Sequence, residues 1–237
     1  MPKKLMVAFM VLALVTLACS LTPSTPSTNP TSAPVQQATA TQPPIQPTAT
    51  TSLILFHDDF SDPSSGWGTN SDSNGTADYA NGGYEIHITT TSLFMWANPG
   101  KGFQNDVRIE VDATKVGGPD NNAFGVICRY QDSDNFYRLY ITSDGYAGIL
   151  KEQNSNPTVI SSPDGKLQPV TGINQGNLTN HIRADCVGST LTLYANGTQV
   201  ATATDSSFQG GDVGLAASAY DTAGTDVLFK DFYVYAP

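Results

Sequence analysis

Charge is scarce in this chain. Only 14% of its 237 residues are charged, and 11 Lys and Arg stand against 21 Asp and Glu, for a net charge of −10. There is no Lys/Arg-rich run, so phosphate backbones are repelled on average and nucleic acid is excluded as a partner class. No long stretch carries a 3.6-residue apolar period, which excludes a helical bundle. No phosphate loop or zinc-ligand spacing is present, and His57, His87 and His181 have no Ser or Cys nucleophile motif beside them. No repeat of fixed period occurs. There are three cysteines. The longest apolar run, "LMVAFMVLALVTLA", is about 14 residues, short of the ~20 that a spanning helix needs.

That run has a different use. Lys3 and Lys4 precede it, and "TLAC" follows, with small Ala18 immediately before Cys19. Residues 1–19 therefore read as an export signal. The ending resembles the lipobox of bacterial lipoproteins, although Thr16 stands where that family usually has an aliphatic residue. The resemblance implies that the Cys19 thiol is acylated and becomes the new N-terminus. Residues 20–52, "SLTPSTPSTNPTSAPVQQATATQPPIQPTATTS", carry almost no large apolar side chain and no charge. Such a segment cannot bury enough surface to offset its ordering entropy. Kept extended by proline, at ~3.1 Å per residue, it would reach about 100 Å. The expected arrangement is a head at 53–237, exported and tethered by lipid to a membrane at the cell surface.

What the head does have is Gly, Asn, Thr, Ser and Tyr, and about a dozen short strand-like runs closed by turns. In "GGYEIHITTT", Tyr84, Ile86 and Ile88 share one face, with Glu85 and His87 on the other. In "DVRIEVDATK", Val107, Ile109, Val111 and Ala113 alternate with Arg108, Glu110, Asp112 and Thr114. Asp144-Gly145 and Asn196-Gly197 are hairpin turns, because both positions of such turns tolerate positive φ. The expected fold is all-β: an antiparallel jelly-roll sandwich behind a signal peptide and a disordered Pro/Ser/Thr-rich linker.

The segment "FGVICRYQDSDNFYRLYITSDGYAGILKE", then "NHIRADCVGSTLTLYANGTQVATATD", then "GDVGLAA" and "VLFKDFYVY", resembles the concanavalin-A-like lectin/glucanase superfamily. Its laminin-G-like and 3-keto-disaccharide-hydrolase-like branches are the most similar. The resemblance covers most of residues 53–237 and implies two curved antiparallel sheets, one with a concave face. Its activities vary, so function must be argued from a site.

Three sites are candidates. For glycan, alternation puts Val126, Cys128, Leu139 and Ile141 in the core. It puts Arg129, Arg138 and Tyr140 on the opposite face if residue 129 pairs with 138, with Lys151 on the next strand and Trp96 nearby. Rings beside planar polar groups suit a sugar, and two Arg suit an acidic one. For catalysis, superfamily glucanases carry a Glu-x-Asp-x-Glu strand. Here Glu110 and Asp112 align but the third acid is Thr114, while a retaining mechanism needs two carboxyls about 5–5.5 Å apart. For metal, pairing of the terminal strands would bring Asp58, Asp59 and Asp231 together as oxygen ligands for a structural Ca²⁺. Trp67 reads as a plug at the sandwich edge. Cys128 and Cys186 both point inward; if their strands meet, export favours a bridge between them that stabilises by about 4 kcal/mol in a chain-entropy treatment, and two buried free thiols are the alternative. The resulting expectation is a lipid-anchored, non-catalytic glycan-binding domain. A hydrolase-like enzyme acting on (keto-)glycosides and a structural or protein-interaction module are the alternatives.

Overall fold

The computed structural model describes residues 52–237. The export signal, Cys19 and residues 20–51 of the linker lie outside the described residues. Among the described residues every regular element is a strand. In chain order these are β1 (Ile54–Asp58), β2 (Asn70–Asp72), β3 (Gly75–Ala80), β4 (Gly83–Ile88), β5 (Leu93–Ala97) and β6 (Val107–Gly117). β7 (Asn122–Asp132), β8 (Asn135–Ile141), β9 (Tyr146–Gln153), β10 (Asn156–Val159) and β11 (Gln168–Pro169) follow. The last five are β12 (Asn180–Val187), β13 (Thr190–Ala195), β14 (Thr198–Thr204), β15 (Asp212–Ala219) and β16 (Thr225–Tyr235). Sixteen strands exceed the dozen expected from sequence. The extra ones include two- and three-residue pieces, β11 and β2, too short to carry a period.

Two antiparallel sheets result. The first runs β14-β13-β12-β6-β16-β4-β3-β2, with β1 also on β16. The second runs β10-β9-β8-β7-β15-β5, with β11 on β9. Crossovers such as β6-β16 and β7-β15 join strands remote in sequence, as in a jelly roll. The Asn196-Gly197 turn takes positive φ at both residues (51° and 80°), the conformation that Asn and Gly bear at least cost.

The core is the set that alternation directs inward. Tyr84, Ile86, Ile88, Val107, Ile109 and Val111 come from the first sheet, and Val126, Leu139, Ile141 and Ile149 from the second, each buried. Cys128 on β7 and Cys186 on β12 form a disulfide between the two sheets, with Cα atoms 6.8 Å apart. Trp67 plugs one end. It is buried against Phe60, Tyr84 and Phe232, and its indole N–H donates to Asp58 Oδ2 at 2.9 Å.

Candidate functional site: the recessed face of the second sheet

Side chains of the second sheet that point away from the core are nearly as buried as those that point into it. Phe136 is 0%, Tyr140 1% and Arg138 6% exposed. Neighbouring strands explain this. The row that crosses the sheet through Tyr140 reads Tyr140 (β8), Gly125 (β7), Ala216 (β15), Trp96 (β5). The middle of the row is nearly without side chain, so rings from both flanks fold over it. Gly125 permits no replacement, since a Cβ there would sit 2.1 Å from the Leu139 carbonyl oxygen.

The rings form one array. Phe94 stacks on Trp96 (centroids 4.9 Å, 11° between planes) and lies 5.8 Å from Phe136. Trp96 and Tyr130 flank Phe136 at 6.1 and 5.5 Å. The Arg138 guanidinium lies over the Phe94 ring at 4.4 Å and is 5.7 Å from the Tyr140 ring, a cation–π arrangement that gains from exclusion of water. Its Nη2 donates to Glu152 on β9, an ion pair with both side chains buried. Burial pushes the Glu152 carboxyl up, against the pull of Arg138. Burial also pushes the Tyr140 and Tyr220 hydroxyls up, so both stay protonated donors across the physiological range.

Two polar atoms in this array lack partners. Arg138 Nε has no acceptor. The Tyr140 hydroxyl lies beside Ser218 and Arg138 but meets hydrogen-bond geometry with neither. An unmet buried donor costs about 1–3 kcal/mol. Arg138 lines a hollow of about 350 Å³, together with Ser92, Phe94, Ser218, Tyr220 and Asp221. A concave site with an aromatic wall and a few convergent polar groups is the usual form of a small-ligand site. Glu152 balances the Arg138 charge, so the hollow offers donors without net attraction for an anion.

The structure brings Trp96, Arg138 and Tyr140 to this face. It removes Arg129 from it. Ile127 pairs with Arg138 and Cys128 with Tyr137, but pairing resumes only at Asp132–Asn135. Residue 129 therefore does not pair with 138. It sits in a bulge at φ 54°, where alternation fails. Its guanidinium instead donates to the carbonyls of Phe208 (3.0 Å) and Gly188 (2.6 Å) and to Asp106 Oδ1 (3.2 Å), tying three loops together. Lys151 also leaves the face and pairs with Asp205 at 2.9 Å.

The structure does not gather the three acids expected for calcium into a ligand group. β1 and β16 do pair, with Asp58 opposite Phe232. Both Asp58 oxygens are already engaged, by the Phe60 N–H (2.7 Å) and by Trp67, and Asp59 Oδ1 accepts from the Ser61 N–H (2.9 Å). Asp231 falls in a bulge of β16 at φ 53°. No group of three or more His, Cys, Asp or Glu with metal-binding geometry occurs among the described residues. Glu110 and Asp112 lie on the other sheet, on the outer face of β6, where His181 contacts both, at 3.7 Å from Glu110 and 2.8 Å from Asp112.

Phe94, Phe136, Glu152, Ser218 and Tyr220 escaped the sequence reading. A signal was present. "NFYRLYI" is almost continuously apolar, which marks a strand covered on both faces, and Phe136 has the same parity as Arg138.

No family model matches the chain, and no curated protein matches it. Solved structures share its architecture. The carbohydrate-binding module CBM66 from Bacillus subtilis superposes with a TM-score of 0.57, at 20% identity, over 72% of this chain and 96% of that one. The Bacillus licheniformis β-glucanase gives 0.53 at 12% identity, over 79% and 100%. The CBM2 module of the evolved Dit protein of Lactobacillus casei BL23 phage J-1 gives 0.51 at 15%, over 78% and 95%. These likenesses establish the fold as a concanavalin-A-like jelly roll.

Proposed function

We propose that the head is a glycan-binding domain that works without catalysis, and that the recessed face of the second sheet is its binding site. One observation carries the reading. A sheet face directed away from the core buries an aromatic array, leaves Arg138 Nε and the Tyr140 hydroxyl buried without partners, and opens a hollow lined by Arg138. Sugar C–H faces would lie on the rings, and hydroxyl or ring oxygens would accept from the two donors. Similarity to carbohydrate-binding modules and a β-glucanase supports the ligand class. Binding without turnover is favoured because Glu152 is held by Arg138, while Glu110 and Asp112 lie on the opposite sheet.

Affinity for immobilised β-glucan, xylan, galactan, fructan and mucin glycans tests this. Binding to at least one is expected, with a tenfold or greater loss in Tyr140→Phe and Arg138→Lys. Absence of binding to all of them overturns the reading. We further infer that acylated Cys19 and residues 20–52 tether the head at the cell surface. Mass spectrometry of the exported protein should find the lipid on Cys19, and an unmodified Cys19 thiol overturns the tether.

A further inference from the structure

We infer that the site is longer than one sugar, and that the turn joining β2 to β3 builds a second subsite at the edge of the sandwich. This rests on the glycan reading of the Arg138 hollow. A second hollow of about 320 Å³ opens beside the first, and Leu93 and Phe94 line both. β2 ends the first sheet and β5 ends the second, so the second hollow is the gap between two sheet edges.

Its walls differ in chemistry. One consists of Leu93, Phe94, Met95 and Trp96 of β5; the other is Asn70, Asp72 and Asn74. The polar wall is held in place rather than free. The Asn74 N–H donates to Asp72 Oδ1 (2.7 Å), and Asn74 Oδ1 lies 3.4 Å from the Thr90 hydroxyl. Both Asx residues keep amide or carboxylate capacity for hydroxyls that approach from the hollow. An apolar wall opposite short planar amides suits a second pyranose or furanose ring, one face on Trp96 and its hydroxyl edge on Asn70 and Asn74. The Arg138 guanidinium reaches across the sheet to lie over the Phe94 ring at 4.4 Å, and Phe94 lines both hollows, so a ligand that fills both needs at least two linked rings. The ligand is therefore a chain recognised over consecutive units, not a single terminal residue. Asn70 and Asn74 set the preference for length.

Oligosaccharide ladders of one to six units, from each polysaccharide named above, test the inference by calorimetry. Affinity should rise about tenfold or more from the monosaccharide to the trisaccharide. Asn70→Ala/Asn74→Ala should erase that gain and leave monosaccharide affinity unchanged. Both positions are exposed and tolerate such changes, and an unchanged unfolding midpoint confirms it. Equal affinity across a ladder, or a gain that survives the double variant, overturns the second subsite while the Arg138 hollow stands. Binding of no unit of any length removes both.

Discussion

The two sheets present opposite outer faces, although both are built on the same alternation. On the first sheet, β6 reads buried, half-buried, buried along "VRIEVDATK". Its outward residues form a solvated ladder with β12, Arg108 with Asp185 (2.9 Å) and Asp112 with His181, and within β12 Arg183 also holds Asp185. Such pairs contribute about 0–1 kcal/mol each and weaken with salt. On the second sheet, eight consecutive residues of β7 are buried, and six of the seven in β8. The difference lies in the strands between. Gly125 and Ala216 leave room for rings to lie flat, whereas β6 and β12 carry long side chains that stand up and hold each other in water. A jelly-roll face becomes recessed when its middle is small and its flanks are aromatic.

The largest expected effect follows from Phe136, an outward residue packed like an inward one. Phe136→Ala should cost about 3–5 kcal/mol in urea unfolding. A loss no greater than that of an exposed substitution breaks the comparison. Removal of the inter-sheet bridge in Cys128→Ala/Cys186→Ala comes next, at about 2–5 kcal/mol. Below its lowered melting temperature the variant should keep full glycan affinity, because the bridge lies on the inner side. A weakened affinity at that temperature would mean that the recess depends on the bridge.

How much of this was legible follows from range. Inward sets such as Val107-Ile109-Val111 and Val126-Cys128 are local consequences of a two-residue period; that period turned both cysteines inward, and the approach of their strands decided between a bridge and two free thiols. Three of the four residues expected to bind glycan, Trp96, Arg138 and Tyr140, come to one face. Arg129 does not, because its bulge depends on acceptors at Asp106, Gly188 and Phe208, far away in sequence. Phe136 and Glu152 went unread because the depth of their face is set by Gly125 and Ala216 on other strands. The acidic trio meets competition at short range: Asp58 accepts from the Trp67 indole, nine residues on.

A smaller effect is expected at Asp205, which serves the inner side of the second sheet. It accepts from the Tyr137 hydroxyl (2.5 Å), from Lys151 and from the Ser207 N–H (2.8 Å). Burial opposes its ionised form, but hydrogen bonds from Ser207, Tyr137 and Lys151 outweigh burial and hold the carboxyl well below the usual range. A depressed acid stabilises the fold above its ordinary pKa of about 4, and that stability is lost as pH falls through the depressed value. Asp205→Asn should therefore cost about 1–3 kcal/mol at pH 7. The gap between variant and wild type should narrow progressively below pH 4; a gap constant down to pH 2 would assign the loss to packing.

The smallest effect is the sharpest test of which face works. Glu110 and Asp112 are half-exposed, on the face opposite the aromatic recess, and His181 can satisfy them in water as well as water can. Glu110→Gln/Asp112→Asn should change stability by no more than about 0.5 kcal/mol, with the difference fading at 1 M salt, where screening acts over ~3 Å. Glycan affinity should stay within twofold of wild type, since neither residue borders the Arg138 hollow or the Asn74 turn. A tenfold loss of binding, or turnover of a chromogenic glycoside that disappears in this variant, would move the functional face to the first sheet. The buried rings would then be a second core, with Arg138 and Glu152 only its internal brace.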